Sequence, residues 1–358
     1  MFRVLAAFCL FVISPSAQAQ TLSKLAMLTG APTGTYFRFG QDINQIMTHA
    51  CGATVDVRES VGSLDSLKRL RREPFVQMAI VQHDALSFIK VFRNDDKELR
   101  DWADKYRYVF SLYPEEIHLI VRKDSPIRTI GDLSGKRVAI GAANSGTHLT
   151  ATMIMNLVGI AIQPVEVGPD QALEKLLASD KPDIDAFFWV VGKPAAALTK
   201  ADPRLASLRL VSITDARALQ LYQKAEIGGD DYDWVQAPVA TMAVKSALIS
   251  FDFRGEQCDN VAMVARQIAD NIEDLQRFGH PKWSQVDVNA EVPGWTRYEC
   301  VKERMALPLL KPAGGIKVCE FAKTIEQPRP DAANCPCEAF TGSEKVICEM
   351  SKGRCGSN

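Results

Sequence analysis

Two hydrophobic periods take turns along this chain. An apolar run over 22–28 predicts a strand; Phe39, Ile43, Ile46 and Met47 then fall near helical spacing and predict a helix over 36–50. Residues 54–58 alternate as a short strand, and Leu64, Leu67 and Leu70 mark a second helix. An apolar strand over 77–82 runs into a helix over 84–92, and 95–107 is charged enough for a solvated helix. Residues 108–121 carry a long strand pattern interrupted by Pro114-Glu115-Glu116. Further strands are predicted at 137–141, 165–167, 183–190, 208–213 and 239–244, and helices at 149–158, 170–178, 194–200 and 259–277, with 228–238 as loop. This alternation predicts an α/β fold with mainly parallel sheets. After Pro312 the periodicity fades while Cys, Pro and charge rise, so the core ends near there.

One local design occurs three times: a strand, a loop of glycine and hydroxyl residues, and a helix start. It is read at Thr29 to Gly40, with Thr33, Thr35 and Tyr36; at Glu59 to Leu67, with Gly62 and Ser63; and at Ala142 to His148, with Ser145, Gly146 and Thr147. A helix N-terminus offers unpaired N–H groups and a partial positive charge, which suit an anionic group. In an open α/β sheet such loops lie at the carboxyl ends of strands, where ligands bind. Ser63 and Thr147 serve equally well as N-caps, whose hydroxyls are occupied by their own helix.

A length of 358 residues suggests two domains. Apolar residues at 47% and charged residues at 24% allow a full core, and a net charge of −1 with no basic block argues against nucleic acid as a partner. The N-terminus changes the picture. Arg3 precedes an apolar stretch over 4–13, and Ser14-Pro15-Ser16-Ala17-Gln18-Ala19 closes it with small residues. This is the pattern of a secretory signal peptide over 1–19, cleaved near Ala19, and it implies a periplasmic chain. Leaving out Cys9, the cysteines are Cys51, Cys258, Cys300, Cys319, Cys335, Cys337, Cys348 and Cys355. An even number in an exported chain points to disulfides, with roughly a hundred connectivities open. Cys335, Cys337, Cys348 and Cys355 could also offer four thiolates to zinc, which an oxidising compartment disfavours.

The loops and their order resemble the TAXI-type solute-binding proteins of tripartite ATP-independent periplasmic (TRAP) transporters. The matching residues are Gly34-Thr35-Tyr36 with Gly40; Gly62-Ser63 ahead of Leu67 and Leu70; Val81-Gln82 with Asp84; Glu115 with His118 to Arg122; Asp132 to Val138; Ser145-Gly146-Thr147; and Asp185-Ala186-Phe187-Phe188 with Gly192 and Pro194. The resemblance covers residues 25 to about 250. It implies a two-lobed, flytrap-like periplasmic-binding-protein fold, with lobe one over 20–118 and 239–312, lobe two over 119–238, and a disulfide-tied extension over 313–358. The strand crossings are expected at 117–121 and 239–244. The family's ligands are small organic acids and acidic or amide amino acids. Phe37 stands where a second Tyr is common, His148 where Arg is usual, and Asn144 where Gly is common, so an altered pocket is expected.

The candidate ligand-binding set is Thr33, Thr35, Tyr36, Gly62, Ser63, Gln82, Glu115, Ser145, Gly146, Thr147, His148, Phe188 and Pro194. His148 reads equally as an exposed helix-start residue, and Phe187, Phe188 and Trp189 read first as core. Glu115 and Glu116 are adjacent on a strand, face opposite ways, and so cannot act as a catalytic pair. No G-x-S-x-G, H-E-x-x-H, Walker or dinucleotide motif is present. The expectation is a monomeric periplasmic protein, not an enzyme, without cofactor or metal. It binds a small organic anion or amino acid and delivers it to the membrane subunits of a TRAP transporter. The alternatives are a ligand sensor signalling to a membrane receptor, or an exported enzyme.

Overall fold

Strands β1 (Leu25–Leu28), β2 (Val55–Arg58) and β3 (Val76–Gln82) alternate with helices α1 (Thr35–Cys51), α2 (Ser63–Arg72), α3 (Ala85–Phe92) and α4 (Lys97–Ala103). The long strand β4 (Tyr106–Arg122) leads into β5 (Arg137–Ala139), α5 (Gly146–Val158), β6 (Gln163–Val165), α6 (Pro169–Leu177) and β7 (Ala186–Val191). Then come β8 (Leu208–Leu210), β9 (Gln223–Ile227), a second long strand β10 (Val239–Phe251), and helices α7 (Glu256–Asp270), α8 (Ile272–Phe278) and α9 (Glu299–Ala306). The computed structural model describes residues 25–93, 96–178, 182–199 and 201–306. The chain divides into two compact units, 1–316 and 317–358, and everything described belongs to the first. The expected signal peptide (1–19) and the expected extension (313–358) lie outside the described residues.

Among the described residues the strands form one ten-stranded mixed sheet, in the order β2-β1-β3-β10-β4-β7-β5-β6, with β8 on β4 and β9 on β10. The parallel sheets expected of an α/β chain are present as two wings. β1 runs parallel to β2 and β3, and β5 runs parallel to β6 and β7. The centre is antiparallel: β10 against β3 and β4, and β4 against β7. The two wings therefore share one sheet. Of its two central strands, β4 has 17 residues and β10 has 13, more than a typical strand of about 5–6. Each changes partner partway along. Glu116 pairs with Ala243 on β10 and with Val191 on β7, and Ala243 pairs also with Gln223 on β9. The rung Val191–Glu116–Ala243 is where the chain passes from one half to the other.

Burial follows the sheet. One core cluster takes in Leu28, Leu67 and Ile89 from the first half and Val138, Ile154 and Phe188 from the second, all essentially inaccessible. A second cluster, with Ala139, Leu173, Phe187 and Leu208, fills the other face of the second half. Each such Leu, Ile or Phe contributes roughly 1.5–3 kcal/mol by leaving water.

Several expectations are corrected. Pro114 does not interrupt β4: it sits opposite Lys245, whose carbonyl takes the His83 N–H while the Pro114 carbonyl takes Lys282 Nζ, so the missing N–H breaks no rung between β4 and β10. The strand at 239–244 is only the first part of β10. The helix over 194–200 is a short 3-10 turn, Ala196–Leu198, and the helix over 259–277 breaks at Asn271 into α7 and α8. Strand β9, helix α9 and a 3-10 turn, Pro281–Gln285, were not anticipated. Cys258 of α7 and Cys300 of α9 form a disulfide, one of the pairings the sequence leaves open. Among the described residues no helix is long and apolar enough to cross a membrane.

Candidate functional site

In the sheet β10 lies between β3 and β4, and the first residues of α1 reach the middle of β4. Thr35 and Tyr36 open α1 and are both buried. The Tyr36 hydroxyl donates to Glu115 Oε2 at 2.5 Å. Tyr113 lies two residues before Glu115 on β4 and therefore shares its face. Its ring meets Tyr36 edge-on at 6.3 Å, and its buried hydroxyl faces the Thr35 and Ser246 hydroxyls. Gly192, just after β7, closes on the same place: a Cβ there would stand 3.1 Å from the Tyr113 ring and 3.4 Å from Thr35 Oγ1.

Glu115 is 5% exposed. Burial raises its pKa to about 8; the Tyr36 hydrogen bond and Lys282 oppose that rise, and Glu116 and Asp84 add to it. Burial, and then the charge of Glu115, push the Tyr36 phenol well above its ordinary value. Glu116 faces other partners, as strand alternation requires. It holds Lys282 Nζ at 2.7 and 3.0 Å and accepts the Lys193 N–H at 2.8 Å. Lys282 also donates to Pro114 O at 3.0 Å and to Gln285 Oε1 at 3.1 Å, so the buried ion pair is fully hydrogen-bonded. His118 is buried between the Glu116 carbonyl and the Tyr232 hydroxyl. The carbonyl can only accept, so Nδ1 carries the proton. Nε2 then accepts from Tyr232, whose oxygen in turn takes the Ala195 N–H. Burial lowers its pKa to about 4, so the ring stays neutral.

The other two loops meet each other. Leu64 N donates to Asn144 O at 3.2 Å, and a Cβ at Gly62 would lie 2.9 Å from Gly146 N. Gly62 has φ +138°, so both its conformation and its close approach call for glycine. Ser63 does not cap α2: its Oγ accepts the Gln82 N–H at 3.0 Å, while Asp65 accepts the Val61 N–H at 3.1 Å. Ser145 caps α5 by accepting the His148 N–H at 3.1 Å. Thr147 is not a cap either; its Oγ1 accepts the Val190 N–H at 3.1 Å. The Gln82 amide lies against Gly146, and its Oε1 faces the Thr150 hydroxyl at 3.3 Å.

Thr150 brings in a second buried carboxyl. Its hydroxyl donates to Asp84 Oδ2 at 2.8 Å, and so does the Tyr222 hydroxyl, also at 2.8 Å. Asp84 Oδ1 is buried without a partner, and burial raises the Asp84 pKa. The charge of Asp84 acts on both Tyr36 and Glu115. One buried polar region thus draws Tyr36, Gln82 and Asp84 from the first half and Thr150 and Tyr222 from the second, with Tyr113 and Glu115 on the strand between them.

Of the predicted residues, Thr35, Tyr36 and Glu115 come together, and Gly62, Ser63, Gln82, Ser145, Gly146 and Thr147 line the contact between loops. His148 sits apart against Phe88, with Nε2 3.6 Å from Glu166. Phe188 is core, and Thr33 and Pro194 are exposed. Sequence reasoning missed Tyr113, Thr150, Tyr222 and Lys282, and it named Asp84 in the resemblance but not in the candidate set. The period of two in Tyr113-Pro114-Glu115 could have found Tyr113; nothing around Lys282 marked it. Among the described residues no group of three His, Cys, Asp or Glu side chains is placed to hold a metal.

Residues 27–286 match the NMT1-like family. The chain is similar to solved structures at low identity. The periplasmic binding protein BugD is 12% identical, with 79% of this chain and 93% of that one covered and a TM-score of 0.49. The alkanesulfonate-binding protein SsuA from Xanthomonas axonopodis pv. citri is 16% identical, with 79% and 83% covered and a TM-score of 0.43. The substrate-binding protein of an amino acid ABC transporter is 11% identical, with 72% and 99% covered and a TM-score of 0.43. Likeness this loose carries no ligand across.

Proposed function

The chain belongs to the NMT1-like family, and we propose that it is a periplasmic solute-binding protein of the TAXI type. It takes a small organic solute between lobe one (20–118 and 239–312) and lobe two (119–238), and passes it unaltered to the membrane subunits of a TRAP transporter. The observation that carries this reading is the buried polar region shared by the two halves, in which Thr150 and Tyr222 reach Asp84 across the sheet. Buried ionisable groups are costly and gather at functional sites. With β4 and β10 as the only strands common to both wings among the described residues, rotation about them would open and close that region, and a solute that binds the closed form would select it. The disulfide between Cys258 and Cys300 fits an oxidising, extracytoplasmic compartment.

Thermal-shift titration with dicarboxylates, 2-oxo acids, amino acids and amines tests the proposal, with small-angle scattering to follow closure. A binding solute should raise the melting temperature and compact the particle. No stabilisation by any of these classes would overturn it.

A further inference from the structure

Glu115 and Asp84 are buried carboxyls that form no ion pair among the described residues, with His83 acting on Asp84 from the adjacent position. Glu115 accepts a hydrogen bond from Tyr36, and the cation that acts on it, Lys282, is held by Glu116 at 2.7 Å. Asp84 takes two hydroxyls on Oδ2 and leaves Oδ1 buried without a partner; the Tyr113 hydroxyl, on the Glu115 face of β4, is buried beside the Thr35 and Ser246 hydroxyls. Buried polar atoms are ordinarily satisfied, so Asp84 Oδ1 points to a group that donates to it.

A carboxylate placed beside Glu115 and Asp84 would meet like charge in a poorly solvated place once either acid is ionised. A metal ion is disfavoured because the acids do not converge as a ligand set among the described residues.

We propose that the solute held between the lobes carries a protonated amine, received by Glu115 and Asp84 with the Tyr113 hydroxyl beside it. This rests on the solute-binding reading above. The groups facing Glu115 are Tyr36 from α1, Tyr113 and Glu116 from β4, Asp84 after β3, and Lys282 from the 3-10 turn; His83 and Tyr222 face Asp84. When the ammonium arrives, Glu115 releases its proton to solvent and accepts a hydrogen bond from the amine, so binding tightens as pH rises toward about 8.

Calorimetric titration of the exported full chain with 1,4-diaminobutane and ethanolamine, set against succinate and 2-oxoglutarate at pH 6 and pH 8, tests this. An amine should bind, about tenfold or more tightly at pH 8 than at pH 6. Glu115→Gln should lose at least about tenfold in affinity together with the pH dependence, and Asp84→Asn should also weaken binding. Circular dichroism and unliganded melting of both variants separate lost binding from lost folding. Amine binding unchanged in both folded variants overturns the assignment. Binding of the carboxylates alone overturns it too, while leaving the solute-binding reading standing; stabilisation by neither class removes both.

Discussion

Tyr36 and Glu115 lie 79 residues apart in the chain and meet through a 2.5 Å hydrogen bond. One comes from the first turn of α1, the other from the middle of β4 beside the rung where that strand changes partner. This bond ties the first helix start to the strand that joins the two wings of the sheet. Tyr36→Phe removes the donor and leaves a buried carboxyl short of a partner. Urea denaturation should show a loss of about 1–3 kcal/mol. The Tyr36 bond lowers the Glu115 pKa, so the variant's carboxyl should titrate still higher. An unchanged unfolding midpoint would mean that the bond carries no weight.

Stability should depend on pH in two opposed ways. Glu115 is raised from 4.5 to about 8, so the folded state holds the proton longer than the unfolded chain. Its contribution is fully present below 4.5 and is lost as pH climbs to about 8, at no more than ~1.4 kcal/mol per pH unit. His118 is lowered from 6.5 to about 4, so its contribution is present above 6.5 and lost as pH falls to about 4. Denaturant midpoints from pH 4 to 9 should therefore decline on the alkaline side, and Glu115→Gln should flatten that decline. A decline that persists in the variant would assign it to another group.

The Glu116–Lys282 pair is 3% and 2% exposed. Lys282→Met strands the Glu116 charge and should cost about 3–5 kcal/mol. Adding Glu116→Leu removes the stranded charge, so the double variant should be more stable than Lys282→Met alone. A double-mutant cycle in urea measures this; equal losses in the two proteins would contradict it.

Gly62 and Gly146 should respond unequally to a methyl group. At Gly62 the added carbon meets backbone, 2.9 Å from Gly146 N and 3.0 Å from Ser145 Cα, at a φ of +138°. At Gly146 it meets the Gln82 side chain, whose end can retreat. Gly62→Ala should therefore lose about 2 kcal/mol or more, and Gly146→Ala less. The reverse order of melting temperatures would be inconsistent with this contact.

Much of the fold was legible because its signals are local. The alternation of strands and helices over 25–191 follows from side-chain periods of two and 3.6, which a sequence displays directly. What failed was decided at a distance. Pro114 reads as a strand breaker until its place opposite Lys245, whose carbonyl serves β3 rather than β4, is known. The Gln223–Ile227 strand has little apolar alternation and exists because β10 supplies an edge for it. Ser63 has the identity of a cap, yet Gln82 claims its hydroxyl from the neighbouring strand.

The sequence by itself determined the α/β class, the glycine and hydroxyl loops at three helix starts, and the opposite facing of Glu115 and Glu116, since each depends on neighbours within a few residues. Only the tertiary structure decided which of those groups meet. Asp84 with Thr150 and Tyr222, Tyr113 with Tyr36, and Lys282 with Glu116 are joined by strands that pair across long stretches of chain. Burial likewise depends on packing from both halves, and it is burial that raises Glu115 and Asp84 and lowers His118. Residue identity supplies the titratable groups; which state they hold depends on the surroundings that the folded chain builds around them.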